Sequence, residues 1–102
     1  MAPMPTRKSM DLDAAEAIAI EALAFVAADC VRLGRFLSLT GISPDALRDE
    51  AGAPHTLQAV LEHLADDESL LLVFAATARC APEEIEPARA LLAAEAERRR
   101  RT

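Results

Sequence analysis

Five consecutive large apolar residues, Leu70-Leu71-Leu72-Val73-Phe74, constrain this chain more than any other stretch. Acids precede them at Asp66, Asp67 and Glu68, and Arg79 follows. That is the polarity of an α-helix: acids suit the positive amino end of the helix dipole, bases suit the negative carboxyl end, and Asp66 or Asp67 can cap the free amides. At about 100° per residue, five successive apolar side chains point to every side of a helix. A helix over about residues 67–79 then has to be wrapped by the rest of the chain or by a second copy of it. The fold is expected to be built around it.

The 102 residues give room for one core burying roughly 60 to 70% of the unfolded chain's surface. The apolar fraction is 52%, with only three aromatic residues, all Phe. Ala and Leu dominate, and both are strong helix formers, whereas the β-branched and aromatic residues that favour sheets are scarce. The expectation is an all-α bundle of five or six short helices.

The net charge of −6 is unevenly spread. Between Asp11 and Glu97 stand 17 acids and five bases, a balance of −12, while Arg7, Lys8 and Arg98 to Arg101 lie outside. So acidic a body repels phosphate backbones and anionic lipid, which argues against nucleic-acid and membrane partners. No apolar run approaches the roughly 20 residues of a membrane span, and Asp11, Asp13, Glu16 and Glu21 interrupt the signal-like start. Cys30 and Cys80 stand far apart and form no C-x-x-C pair, so a reducing cytoplasm is the expected compartment.

Residues 1–10, with Pro3 and Pro5, read as a disordered leader, 11–97 as a single helical domain and 98–102 as a basic tail. A first helix runs from Asp11 or Asp13 to about Ala28. Asp29 caps a second, through about Thr40, in which Gly34 suggests a close helix crossing. Gly41 suits a left-handed helix end, and Ser43 and Pro44 start a third helix reaching about Ala51, with Ile42 positioned to staple onto Leu47. The fourth helix carries Leu57, Val60, Leu61 and Leu64 at i, i+3, i+4 and i+7. Its junction with the apolar helix, at Ala65 to Asp67, lacks Gly and Pro, which leaves open whether the two are separate. A last helical region opens at Ala81-Pro82 and runs to about Arg98, with a kink or short turn expected near Pro87.

Two pieces look alike at an offset of 38 residues: Leu33, Phe36, Pro44, Asp45 and Leu47 correspond to Leu71, Phe74, Pro82, Glu83 and Ile85. A solenoid needs about three such units, so the pair reads as a recurring helix-helix corner.

Candidate chemistry is sparse. Leu39 to Arg48 resemble the turn and second helix of a helix-turn-helix DNA-binding unit, which would use residues 33–51, but the second helix begins with Asp45 and offers Arg48 as its one base, where a recognition helix needs donors. A capped helix-helix corner explains the same residues. His55 and His63 are eight apart, not the four that set two metal ligands on one helix face. Cys30 begins a helix, yet a buried, inert cysteine is the commoner case. No paired glycines form a phosphate loop. Catalytic, metal and cofactor residues: none are expected.

Ile20 to Asp29 (IEALAFVAAD), Arg32 to Gly52 (RLGRFLSLTGISPDALRDEAG) and Asp67 to Ile85 (DESLLLVFAATARCAPEEI) together resemble a family of small alphaproteobacterial proteins classed as a domain of unknown function. The resemblance covers roughly residues 13 to 93, and the L-x-R-F-L segment with its LTGI-P corner is its most specific part. The cysteines and the arginine run lie outside that pattern. The resemblance implies a short cytoplasmic helical protein with no assigned activity, and supplies no catalytic residue.

The expected function is a non-enzymatic protein-interaction or adaptor module, acting on a protein partner or as a homodimer. The helix-turn-helix reading is the alternative. Arg32, Arg35 and Arg48, the largest group of bases in the acidic body, are the expected polar contact for a partner, against pairing within the chain to Asp45, Asp49 or Glu68.

Overall fold

The computed structural model describes residues 10–102, and among them the chain forms six α-helices and no strand. The leader expected over 1–10 lies outside the described residues except for Met10, which packs against the core. The helices are α1 (Leu12–Ala27), α2 (Cys30–Thr40), α3 (Pro44–Asp49), α4 (Pro54–Ala65), α5 (Glu68–Ala78) and α6 (Ile85–Arg101), with one 3-10 turn at Pro82–Glu84 before α6. The all-α bundle is as the sequence predicts.

Short polar side chains set most of the starts. Asp11, Asp29, Ser43 and Asp67 each accept a hydrogen bond from an amide in the first turn of α1, α2, α3 and α5. Such a cap stabilises a helix by about 1 kcal/mol over Ala. The Asp29 carboxylate accepts from Val31 N at 2.8 Å and Arg32 N at 3.2 Å, and these backbone donors hold its pKa below the usual value. α2 ends on Gly41 in the left-handed conformation, φ 76°, where glycine has no Cβ to clash. Asp66 closes α4 and Asp67 opens α5, so adjacent aspartates separate the two helices without Gly or Pro. Pro87 falls in the first turn of α6, where a missing N–H costs nothing, and the break comes ahead of it at the 3-10 turn.

The centre of the bundle is α4, not the apolar helix over 67–79. α4 packs against both α1 and α6, and these also pack on each other. Leu57, Val60, Leu61 and Leu64 are fully buried, as their spacing predicts. Small residues on the neighbours, Ala15, Ala19 and Ala22 of α1 and Ala88 of α6, let the backbones approach closely around them. The apolar helix exists as α5, but it lies on the flank and fully buries only Phe74 and Ala75. Apolarity all round a helix says that any face can be buried, not that neighbours are available for each.

α6 carries the arginines expected as a tail. Glu95 is buried on α6 and pairs with Arg98 and with Arg99, at 2.9 Å, while Glu97 pairs with Arg100 and Arg101. These i, i+3 and i, i+4 pairs, with bases at the negative end of the helix, continue it through Arg101.

The offset of 38 extends well beyond a corner. Caps Asp29 and Asp67 correspond, as do the left-handed residues Gly41 and Arg79, the 11-residue helices α2 and α5, and the ends of α1 and α4 at Ala27 and Ala65. The tertiary contacts exchange between the units: α1 packs on α4, α1 meets α5, and α4 meets α2. Phe25 of α1 packs edge-on against Phe74 of α5, ring centroids 5.5 Å apart, and its counterpart His63 of α4 packs edge-on against Phe36 of α2, at 5.3 Å. Such an exchange is the signature of an approximate two-fold axis between residues 12–49 and 54–87, with the long α6 breaking the equivalence.

Candidate interaction surface

The outward side of α5 carries Ser69, Leu72, Val73, Ala76 and Thr77, spaced i, i+3, i+4, i+7 and i+8, and every one of them is exposed. Leu72 is 51% and Val73 55% exposed. This is a second helix stripe, without a charged residue, and nothing in the described chain covers it. Glu68 and Arg79, both exposed, stand at its two ends, and neither forms an ion pair with a described residue.

The approximate two-fold relation creates two equivalent clefts beside α5 and α2. The first, about 500 Å³, lies between α1 and α5, with Ala24, Phe25 and Ala28 on one wall and Val73, Phe74 and Thr77 on the other. Arg32 closes it, with its guanidinium carbon 3.9 Å from the centre of the Phe25 ring, a cation–π contact, and its Nε 3.7 Å from Asp29 Oδ2. The second cleft, about 610 Å³, lies between α4 and α2. At 38 residues' offset its wall replaces Phe25 by His63, Ala24 by Glu62, Ala28 by Asp66, and Val73 by Arg35. One cleft is mostly apolar and its twin is ionic.

His63 is only 8% exposed, and its Nε2 is shielded from solvent with no hydrogen-bond partner. Burial pushes its pKa below the ordinary 6.5; Asp67 and Asp66 act in the opposite direction, and Arg35 adds to the lowering. Glu62 accepts a hydrogen bond from Gln58 Nε2 at 2.9 Å and faces Arg89 Nη1 at 3.5 Å. Arg89 is held at 2.7 Å by Glu86, which lowers the Glu86 pKa and raises that of Arg89.

The three arginines singled out from sequence fall into different settings. Arg32 closes the apolar cleft, Arg35 lines the ionic one, and Arg48 lies 3.2 Å from Asp45 and 3.5 Å from Asp49 on the exposed side of α3. Thus the expected internal pairing with Asp45 and Asp49 is present for Arg48. His55 sits 3.4 Å from Glu50, Cys30 is exposed and Cys80 half-buried. Among the described residues no group of three or more His, Cys, Asp or Glu side chains is placed to hold a metal ion, and no helix is long and apolar enough to cross a membrane. Sequence reasoning passed over the outward stripe of α5 and the ionic cleft. The signals were present in the uncharged spacing of Ser69 to Thr77 and in the offset that pairs Phe25 with His63.

Among the described residues, fold and surface together define a bundle of six α-helices that leaves an uncharged helix face open. The chain belongs to the family described as protein of unknown function (DUF3572), whose model matches residues 12–95. No curated protein and no solved structure matches it.

Proposed function

We propose that the protein is a non-enzymatic interaction module of the cytoplasm that pairs with a second copy of itself through the outer face of α5. The observation that carries this is the exposed, uncharged stripe from Ser69 to Thr77. Cys30 and Cys80, 50 residues apart and without a C-x-x-C spacing, suit a reducing compartment. Two acidic bodies repel each other, and the stripe is a surface on which they can meet without opposing like charges.

The stripe also suits an antiparallel, two-fold contact. In such a contact each residue meets its symmetry mate from the other end of the helix. Leu72 and Val73 occupy the middle and the small residues Ser69, Ala76 and Thr77 the ends, so bulk packs at the axis and the flanks close. Glu68 of one copy then falls beside Arg79 of the other, twice, giving both unpaired charges a partner. A stable pair buries about 1,200–2,000 Å² in total, so the contact extends onto the exposed Ala24 and Ala28 of α1 beside the stripe.

Sedimentation over a range of concentrations tests this. The expected mass is twice 10.9 kDa, reduced to the monomer by Leu72→Glu. Glu68→Arg and Arg79→Glu each weaken the pair, and the double exchange restores it. A chain that stays monomeric to about 100 μM, or a Leu72→Glu variant that still pairs, overturns the reading.

The helix-turn-helix alternative for residues 33–51 finds less support. Arg48, the one base of α3, is already engaged by two carboxylates. Retardation of mixed duplex DNA at low salt is its test, and none is expected at micromolar protein.

A further inference from the structure

The ionic cleft between α2 and α4 points to a ligand site independent of the α5 face. Its twin between α1 and α5 serves as an internal reference, because the same backbone arrangement there is lined mostly by apolar side chains. At four equivalent positions the ionic cleft has Arg35, Glu62, His63 and Asp66 in place of valine, alanine, phenylalanine and alanine, while the twin carries Glu21 where the ionic cleft has Ala59, and Arg32 with a buried, unpartnered Nη1. Packing alone does not require this change, since the apolar version closes the other half of the molecule.

The charges are arranged as two opposed ends. Asp66 closes α4, so its carboxylate adds to the negative end of that helix dipole, with Asp67 beside it. Arg35 comes from α2 on the other wall. Neither Arg35 nor Asp66 forms an ion pair with a described residue, although both lie close enough to influence the charge of His63. His63 lines the same cleft, and its Nε2, shielded from solvent, has no hydrogen-bond partner.

We infer that this cleft binds a small zwitterion of the amino-acid type. Its ammonium group sits at Asp66 and the carboxyl end of α4, and its carboxylate faces the Arg35 guanidinium, which offers paired N–H donors to a planar carboxylate. The volume of about 610 Å³ admits such a molecule with its side chain. Arg35, expected from sequence to contact a protein partner, is here assigned to a small ligand.

The test is a titration of each of the twenty standard amino acids into the isotope-labelled full chain, followed by amide chemical shifts. Saturable shifts confined to residues around Arg35, Leu39, Ala59, His63 and Asp66 are expected for at least one amino acid. Acetate and methylammonium, which each carry one half of the charge pattern, bind at least about tenfold more weakly. Arg35→Gln and Asp66→Asn, both at exposed positions, each weaken binding about tenfold or more while the melting transition is retained. Absence of saturable shifts up to about 10 mM for all twenty overturns the inference. So does equal binding of acetate or methylammonium, which would make the cleft a simple ion site, or indifference to both substitutions. The outcome is separate from that of the α5 pairing, because Leu72→Glu leaves this cleft untouched.

Discussion

His63 sits where burial and charge conflict. Its imidazole lies edge-on against Phe36, is almost fully covered, and has a pKa lowered mainly by that burial. Because the folded value lies below the unfolded 6.5, the unfolded chain binds more protons between the two values. The contribution of His63 to stability is therefore fully present above 6.5 and is lost as pH falls through the folded pKa. Urea unfolding from about pH 7 to about pH 5 should show a falling midpoint, and His63→Leu should flatten the part of that slope due to this residue. Gly34 gives a simpler prediction. It lies inside α2 without a positive φ, and a Cβ built there meets nothing within 4 Å. Gly34→Ala should therefore stabilise the chain by about 0.5–1 kcal/mol, read as a higher urea midpoint. The close helix crossing that a mid-helix glycine suggests from sequence is not present at this position. A glycine shows where a backbone could approach, whereas the approach itself depends on a partner element that the local sequence does not encode.

At the scale of the element, α5 shows which features were legible. Its ends were, because capping is local chemistry: Asp67 accepts from Leu70 N at 3.1 Å, and Asp67→Ala should cost about 1 kcal/mol in thermal or urea unfolding. So were the corner at Gly41, Ser43 and Pro44 and the buried stripe of α4, each set by a few adjacent residues. Its burial was not legible, since five apolar residues in a row carry no preference for one face, and the choice fell to the neighbours. The candidate site was the least legible part, because Arg35 and Asp66 come to line one cleft only through the packing of α2 on α4. The far end of α5 holds a less expected feature. Arg79 occupies the left-handed region at φ 54°, where its counterpart in the other unit is Gly41. A non-glycine residue there costs about 1–2 kcal/mol, so Arg79→Gly should stabilise the isolated chain by about 1 kcal/mol. The same substitution removes the proposed contact with Glu68 of a second copy and should weaken pairing. Unfolding in dilute solution and sedimentation at high concentration therefore move in opposite directions for one variant, which a purely structural role for Arg79 does not produce.

For the whole molecule, the approximate two-fold relation explains why the most apolar helix lies outside. α1 and α4 are equivalent and pack on each other, so they occupy the axis, and the equivalent helices α2 and α5 must lie on opposite flanks. α6 has no full counterpart and fills the remaining side of α4, burying Ile85, Ala88 and Leu92. Stability should then be concentrated at the α1, α4 and α6 contact and not along the apolar run. Leu61 is fully buried on α4 and Leu72 is half-exposed on α5. In solutions dilute enough to keep the chain monomeric, Leu61→Ala should cost about 2–5 kcal/mol through lost burial and the cavity it leaves. Leu72→Ala should stay within about 0.5 kcal/mol of the parent, as an exposed site without buried partners does. As concentration rises, Leu72→Ala should fall behind the parent in melting temperature, because only the parent gains stability from pairing by mass action. Equal losses for the two variants in dilute solution would place α5 back at the centre of the core and remove the open face on which the pairing depends.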